Sequence, residues 1–446
     1  MRKARTGFAG AAMALALALP AAAQGAADLG KTLTPMGAEK AGSKDGGIPE
    51  WTGGLTKPPA GHKPGGHPVD PFPDERPNFT IDASNAAQYA DKLTEGHKAL
   101  LKQYGQSFRM NVYPTHRTAA YPQHVYEATM ANAARAKLAQ GGNGVEGAKV
   151  GVPFPIPTEG VQVVWNHLLR WRGEHLERQY SQANPLPDGN YTLISITEKI
   201  KFLYASPEGA RGSTSTFFLQ EVTAPARLAG EVLLVHESMN PLAEPREAWT
   251  YNPGQRRVRR APNVAYDNPG TASDGLRTSD QLDMFNGAPD RYDWKLLGKR
   301  EMYVPYNAYR MTGPAARTAD LIKAKHLNPD FTRYELHRVW VVEGSLKPGT
   351  SHIYSKRRFY VDEDSWVILT AEHYDGRGQM WRVSEYHGIN YYDLPTYSGS
   401  VEAHYDLQSG RYSAMGFANE GPPWRFDVKY TAADFSPDAL RRAGVR

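Results

Sequence analysis

The 446-residue sequence contains no cysteine. That excludes disulfides, cysteine-based metal sites and thiol nucleophiles, and it leaves no residue to carry the acyl chains of a bacterial lipoprotein. Long hydrophobic runs are also scarce. The one extended apolar stretch, GFAGAAMALALALP from Gly7 to Pro20, falls short of the ~20 residues that span a bilayer. It follows Arg2, Lys3 and Arg5 and precedes the small-residue run AAAQ, Ala21 to Gln24. This is the pattern of a signal peptide cleaved after Ala23. The expectation is therefore an exported, periplasmic chain that neither spans the membrane nor is lipid-anchored. Loss of the three basic residues lowers the formal charge from +5 to +2, which argues against a nucleic-acid binder.

Catalytic signatures are missing as well. There is no G-x-S-x-G nucleophile elbow and no H-E-x-x-H zinc pair. GAEKAGSK, Gly37 to Lys44, misses the phosphate-loop spacing by one residue. GNGVEG, Gly142 to Gly147, matches G-x-G-x-x-G but follows a helical pattern rather than a strand, so it reads as a loop. His62 and His67 lie in a Gly/Pro-rich run without further ligands. His337, His352, His373 and His387 fall on predicted strands and read as packed or solvated side chains, and the acids of DEDS, Asp362 to Ser365, read as a tight turn. No catalytic residue, metal site or cofactor is assigned.

What is present is a folded composition, 40% hydrophobic and 11% aromatic with 25 tyrosines. After the signal segment (1–23), residues 24–80 are crowded with Gly and Pro and read as an extended arm that Trp51 and Phe72 pin to the surface. Residues 81–446 read as one large domain. Helical periodicity marks 85–105, 121–142 and 158–175, the last with Thr158 as cap. From about residue 190 the period changes to two. Strands are expected over 191–204, 214–222 and 230–238, in a four-strand meander from Arg333 to His387, and in a hairpin turning at QSGR. The sum is an α+β, mainly β fold: a large curved antiparallel sheet, or half-open barrel, whose helices cover an apolar cavity. Candidate cavity residues are Trp249, Trp294, Tyr303, Tyr306, Trp340, Phe359, Trp366 and Trp381.

One stretch departs from the mild overall charge. YNPGQRRVRRAPNVAYDNPG, Tyr251 to Gly270, holds Arg256, Arg257, Arg259 and Arg260. NPGQ reads as a turn between two strands, which places Arg257 and Arg259 on one face and Arg256, Val258 and Arg260 on the other. The run is either a solvated or salt-bridged hairpin, with Asp274, Asp280, Asp283, Asp290 and Asp293 as candidate partners, or a cationic rim that contacts an amphiphile's anionic head or a partner's acidic surface.

Four long blocks carry a resemblance: LTPMGAEKAGSKDGGIPEWTGGL, YNPGQRRVRRAPNVAYDNP, DQLDMFNGAPDRYDWKLLGKREMYVPYNAY and the run from Arg333 to Arg382. Together they resemble the exported bacterial family catalogued as domain of unknown function 1329, itself similar to the periplasmic lipoprotein-carrier fold. The resemblance implies a periplasmic binding, carrier or accessory protein for a hydrophobic or lipid-like molecule. It also implies work beside a resistance-nodulation-division type transporter and an outer-membrane protein. Two alternatives stay open: an exported hydrolase acting on a hydrophobic substrate or polysaccharide, and a ligand-free structural subunit of an envelope complex.

Overall fold

The computed structural model describes residues 21–262 and 264–444. The expected signal segment, 1–23, falls largely outside them. Six α-helices are described: α1 (Ala21–Asp28), α2 (Glu95–Gln103), α3 (Gln123–Arg135), α4 (Gly160–Leu169), α5 (Thr318–Leu321) and α6 (Pro437–Gly444). None is long and apolar enough to cross a membrane. The strands are β1 (Phe79–Ile81), β2 (Met110–Val112), β3 (Lys137–Ala139), β4 (Gly144–Glu146), β5 (His175–Ala183), β6 (Ile194–Phe202), β7 (Thr214–Ala224), β8 (Val232–Ser238), β9 (Glu247–Asn252), β10 (Arg257–Arg260), β11 (Tyr292–Pro305), β12 (Tyr334–Leu346), β13 (Lys356–Asp362), β14 (Ile368–Tyr374), β15 (Met380–Tyr391), β16 (Thr396–Asp406) and β17 (Arg411–Phe417).

Two antiparallel meanders make the sheet. One runs from β5 to β10 and the other from β11 to β17, and they join where β17 pairs with β5. The resulting curved sheet does not close: β10 ends one side and β11 ends the other. The short strands β1 and β2 attach beside the start of β12, through a single parallel pairing of Val112 with Tyr334.

The predicted meander from Arg333 to His387 is β12 to β15, and the QSGR hairpin is β16–β17. Besides the three-residue strands β1–β4, two long strands were not legible in advance. β5 (HLERQYSQA) is polar. β11 is 14 residues long, but its register shifts between Leu296 and Gly298, so the apolar residues change face midway and period two is lost. Helical patterning overran twice. The 121–142 segment is helical only to Arg135, and GNGVEG then forms part of the β3–β4 hairpin. The 158–175 segment is helical only over α4, whose cap is Glu159 paired with Gln162 rather than Thr158. The 85–105 segment divides into a 3-10 turn, 86–92, and α2, where Thr94 accepts from His97 N at 3.0 Å.

Both faces of the sheet are covered around β12–β17. The inner face packs Val163 and Val164 of α4 and Met284 and Phe285 against Val342, Phe359, Val361 and Ala371. The outer face packs Leu100 and Leu101 of α2 against Val383, Val401 and Tyr405. Hence β14 and β16 are buried along their whole length. In the other half, α6 seals the outer face through Leu440 against Val232 and Leu234, beside Phe217 and Phe435. Trp51 and Phe72 of the Gly/Pro-rich segment both contact the body. Phe72 stacks on His116 at 3.8 Å between ring centres, and Trp51 meets Tyr126 edge-on. Met36 O accepts from Trp366 Nε1 at 2.9 Å.

Candidate functional site

Residues 261–291 leave β10 at one edge of the sheet and enter β11 at the other. This strap crosses the inner face and is held by buried ion pairs. Asp283 bonds Arg170 and Arg172, just beyond α4, at 2.5 and 2.6 Å. Asp280 bonds Arg357 of β13 at 2.7 Å. Burial alone would raise the Asp283 carboxyl, but the two guanidinium groups outweigh it and hold the group below the usual carboxylate range. Asp283 and Met284 both carry left-handed backbone, φ 55° and 66°, a conformation that costs roughly 1–2 kcal/mol per non-glycine residue. These anchors keep it in place.

The strap docks on the β11–β17 half and touches the β5–β9 half only at intervals, where Gln182 and Asn184 donate to Ala272 O and Leu282 packs beside Tyr180 and Val222; between those contacts it leaves a cleft. Strand alternation and register set its sheet wall: Leu176 and Arg178, Ile200 and Phe202, Thr216, Phe218 and Gln220, Leu233, Val235 and Glu237, and Thr250. The cleft has two chambers. The first, about 180 Å³, lies between Trp165, Leu168 and Leu169 of α4, strands β5–β8, and Tyr266, Leu282 and Asp283 of the strap. The second, about 390 Å³, lies between β7–β9 and strap residues Val264, Asn268–Ala272, Arg277 and Leu282. Phe218, Glu237, Arg246, Leu282 and Asn286 line both. Small-molecule sites occupy roughly 300–1,000 Å³ and are mostly apolar with a few placed polar groups, a description that fits the pair. A wider depression of about 1020 Å³ lies near Tyr104 and His326, but it is shallower and more open to solvent, and Lys102, Arg109, Lys323 and Lys325 stand around it.

The eight aromatic candidates lie outside the chamber walls. Trp294 and Phe359 pack with Phe285 beneath the strap. Trp340 stacks on Trp366 at 6.3 Å, with Lys299 over its ring. Tyr306 stacks on His337 and Tyr397. Tyr303 meets Phe79 and Tyr89 on the outer face, Trp249 packs against His236 and the α6 cluster, and Trp381 bonds Asp406. The tryptophan that reaches the cleft is Trp165, which the helical pattern around it identified only as part of an apolar face.

Arg256, Arg257, Arg259 and Arg260 are all exposed on the edge hairpin. The proposed aspartate partners are used elsewhere, because the strap carries them away from β10: Asp274 bonds Arg411, Asp280 bonds Arg357, Asp283 bonds Arg170 and Arg172, and Asp290 accepts from Tyr266. Asp293 is exposed on β11. Arg260 pairs with Glu247 of the neighbouring strand. The expected face division holds in the register. Arg257 pairs with Asn252 and Arg259 with Thr250, so both continue the cleft-facing side.

The acids of DEDS do more than close a turn. Asp362 accepts from Ser365 N and Oγ, as the turn reading requires, and also from Tyr306 OH at 3.0 Å. Both Asp364 oxygens are taken by Arg117. His337, Asp362 and Asp364 offer ligand atoms within 4.8 Å of one another, but this buried group is packed under Arg117 and is not part of the cleft walls.

The profile of the family described as Protein of unknown function (DUF1329) matches residues 80–441. An uncharacterized protein of Pseudomonas aeruginosa is 51% identical over 426 residues, covering 94% of this chain and 93% of that protein. Among solved structures, a putative outer membrane lipoprotein-sorting protein domain from Vibrio parahaemolyticus is similar with a TM-score of 0.45 and 15% identity, over 64% of this chain and 98% of that one. A DUF1329 family protein from Desulfovibrio piger is similar with a TM-score of 0.43 and 16% identity, over 60% and 92%. On the breadth of the profile match and the identity to its relative, the chain belongs to the DUF1329 family.

Proposed function

We propose that this protein binds and shelters a hydrophobic or amphiphilic molecule in the cleft between strap and sheet, acting as a carrier or accessory protein in the periplasm. The observation that carries this reading is the cleft itself. A half-open sheet presents Ile200, Phe202, Phe218, Leu233 and Val235 to a space that the protein's own side chains do not fill. Each 100 Å² of apolar ligand surface removed from water there would contribute about 2.5 kcal/mol. Arg257 and Arg259, exposed beyond Thr250 and Asn252, form the cationic rim of the same reading. Such a rim steers an anionic ligand or partner more than it holds one. Hand-over to a resistance-nodulation-division type transporter or an outer-membrane partner is a further hypothesis, which pull-down with the rim-reversed variant as control would test.

The direct test is to export the protein in a Gram-negative host, purify it without detergent, extract it with organic solvent and identify the extract by mass spectrometry. Parallel titration with a fluorescent naphthalene probe covers a ligand the host lacks. A near-stoichiometric apolar molecule, or saturable probe binding, supports the proposal. A protein that yields nothing and leaves the probe free in water refutes it.

A further inference from the structure

Seven arginines are buried among the described residues. Six of them, Arg117, Arg170, Arg333, Arg338, Arg357 and Arg382, have a carboxylate within ion-pair distance. The seventh is Arg277, 3% exposed, in the wall of the larger chamber. It forms no ion pair among the described residues. Its NH1 donates to Thr278 O at 3.3 Å, and its Nε has no partner. Burying a guanidinium without a directly paired carboxylate is costly, and burial, only partly offset by Tyr180 and the more distant carboxylates of Glu402, Glu198 and Asp280, pushes this group below its usual value.

None of those carboxylates comes within ion-pair distance, and each has partners of its own. Glu402 accepts from Met284 N at 3.3 Å, Asp280 pairs with Arg357, and Glu198 is occupied by Arg178 at 2.5 Å, Tyr180 OH at 2.7 Å and Gln220 Nε2 at 2.8 Å. Gln220 keeps its own Oε1 unpartnered on the same chamber wall. The strap also fixes where Arg277 lies. A Cβ on Gly270 would stand 2.6 Å from Arg277 Cζ, so only glycine lets the guanidinium lie against the strap backbone at that point.

We infer that Arg277 is the head-group site of the cleft, and that the ligand is an anionic amphiphile whose carboxylate or phosphate oxygens take the unpaired guanidinium while its chain lies along Phe218, Leu233, Val235 and Leu282. This rests on the cleft being the ligand site, and it names the ligand's chemistry. Gln220 Oε1 adds an acceptor for one O–H or N–H of the same head group.

The test compares tetradecanoate with tetradecanol by calorimetric titration of the full chain, with inorganic phosphate as a chain-free competitor. The acid is expected to bind at least tenfold more tightly than the alcohol, and phosphate in the millimolar range is expected not to displace it. Arg277→Gln should remove that preference by weakening the acid about tenfold while leaving the alcohol unchanged. Equal binding of acid and alcohol to the unaltered protein overturns the head-group assignment and leaves the apolar cleft standing. Displacement by phosphate alone overturns the amphiphile in favour of a small anion. Failure to bind either chain overturns both this inference and the carrier reading. The acid-to-alcohol ratio needs no variant, so the inference stays falsifiable if Arg277→Gln does not fold.

Discussion

Arg246 Nε donates to Glu237 Oε2 at 2.7 Å, and the pair forms the partition between the two chambers. Asn286 of the strap completes it. Its carbonyl accepts from Arg246 NH2, and its amide donates to Glu237 Oε1 at 3.1 Å. Arg246 NH1 reaches Val264 O as well. A polar bar thus ties the sheet wall to the strap between the two chambers, and a long ligand must pass it or displace it.

Removing both charges of the bar should join the chambers without leaving either charge stranded. The variant Arg246→Ala with Glu237→Ala is expected to lose about 1 kcal/mol, because the two members of a largely buried pair leave together. It should release a bound fluorescent fatty acid about three- to tenfold faster in stopped-flow displacement. Arg246→Ala alone should cost more, about 1–2 kcal/mol, because Glu237 and the Asn286 carbonyl lose their donor. An unchanged release rate in the double variant would mean the bar does not gate the cleft.

Thr250 is half-buried on β9 and faces the larger chamber. Thr250→Phe should fill that space. Binding of a long-chain probe is expected to fall by more than tenfold, while the unfolding midpoint moves by only a few degrees, because the ring enters open volume rather than a packed core. Parental affinity in a folded variant would place the ligand elsewhere.

Reversing Arg257 and Arg259 to glutamate touches exposed side chains on an edge strand. Stability should change by less than about 0.5 kcal/mol. Association with an anionic amphiphile should slow several-fold at low salt, and that difference should vanish near 0.5 M salt. If the rates match the parent at every ionic strength, the cationic rim has no role in ligand entry.

Asp362 is fully buried, and its Oδ1 has no hydrogen-bond partner. Burial, then the neighbouring Asp364, pushes its carboxyl up to about 6. The native state therefore holds a proton there that the unfolded chain releases near pH 4, so this group's contribution to stability falls as pH rises from about 4 to 6. Asp362→Asn cannot ionise. Urea unfolding at intervals from pH 4 to 7 should show the variant gaining on the parent by about 1–3 kcal/mol across that window. A difference between variant and parent that stays constant with pH would show that Asp362 ionises normally.

How much was legible in advance depended on how local the signal was. DEDS and QSGR named their turns correctly because a turn is decided by the few residues that make it. β11 was hidden because a register shift broke its alternation, and α4 was read too long because RWRGEH continues an apolar rhythm beyond the point where the chain becomes β5. The aromatic candidates show the limit most directly. Composition marks Trp366 and Tyr306 as large apolar rings, but whether such a ring lines a cavity or fills a core depends on what faces it. Here Met36 of the arm and Asp362 face them.

By itself the sequence determined the class of the molecule. Alternation over the strand segments demands a large antiparallel sheet, and the four long blocks that resemble DUF1329 pointed to its family, which the profile match bears out. Only the tertiary structure decided where a cleft could exist. The strap of residues 261–291 has no periodicity of its own. Its path is set by aspartates that find Arg170, Arg172 and Arg357 more than 70 residues away along the chain. Those distant pairs hold it against one half of the sheet and let it span the other on a few contacts, and they leave Arg277 buried without a carboxylate in ion-pair distance among the described residues. No short-range pattern encodes such a space, because it is the gap between elements that each fold for their own reasons.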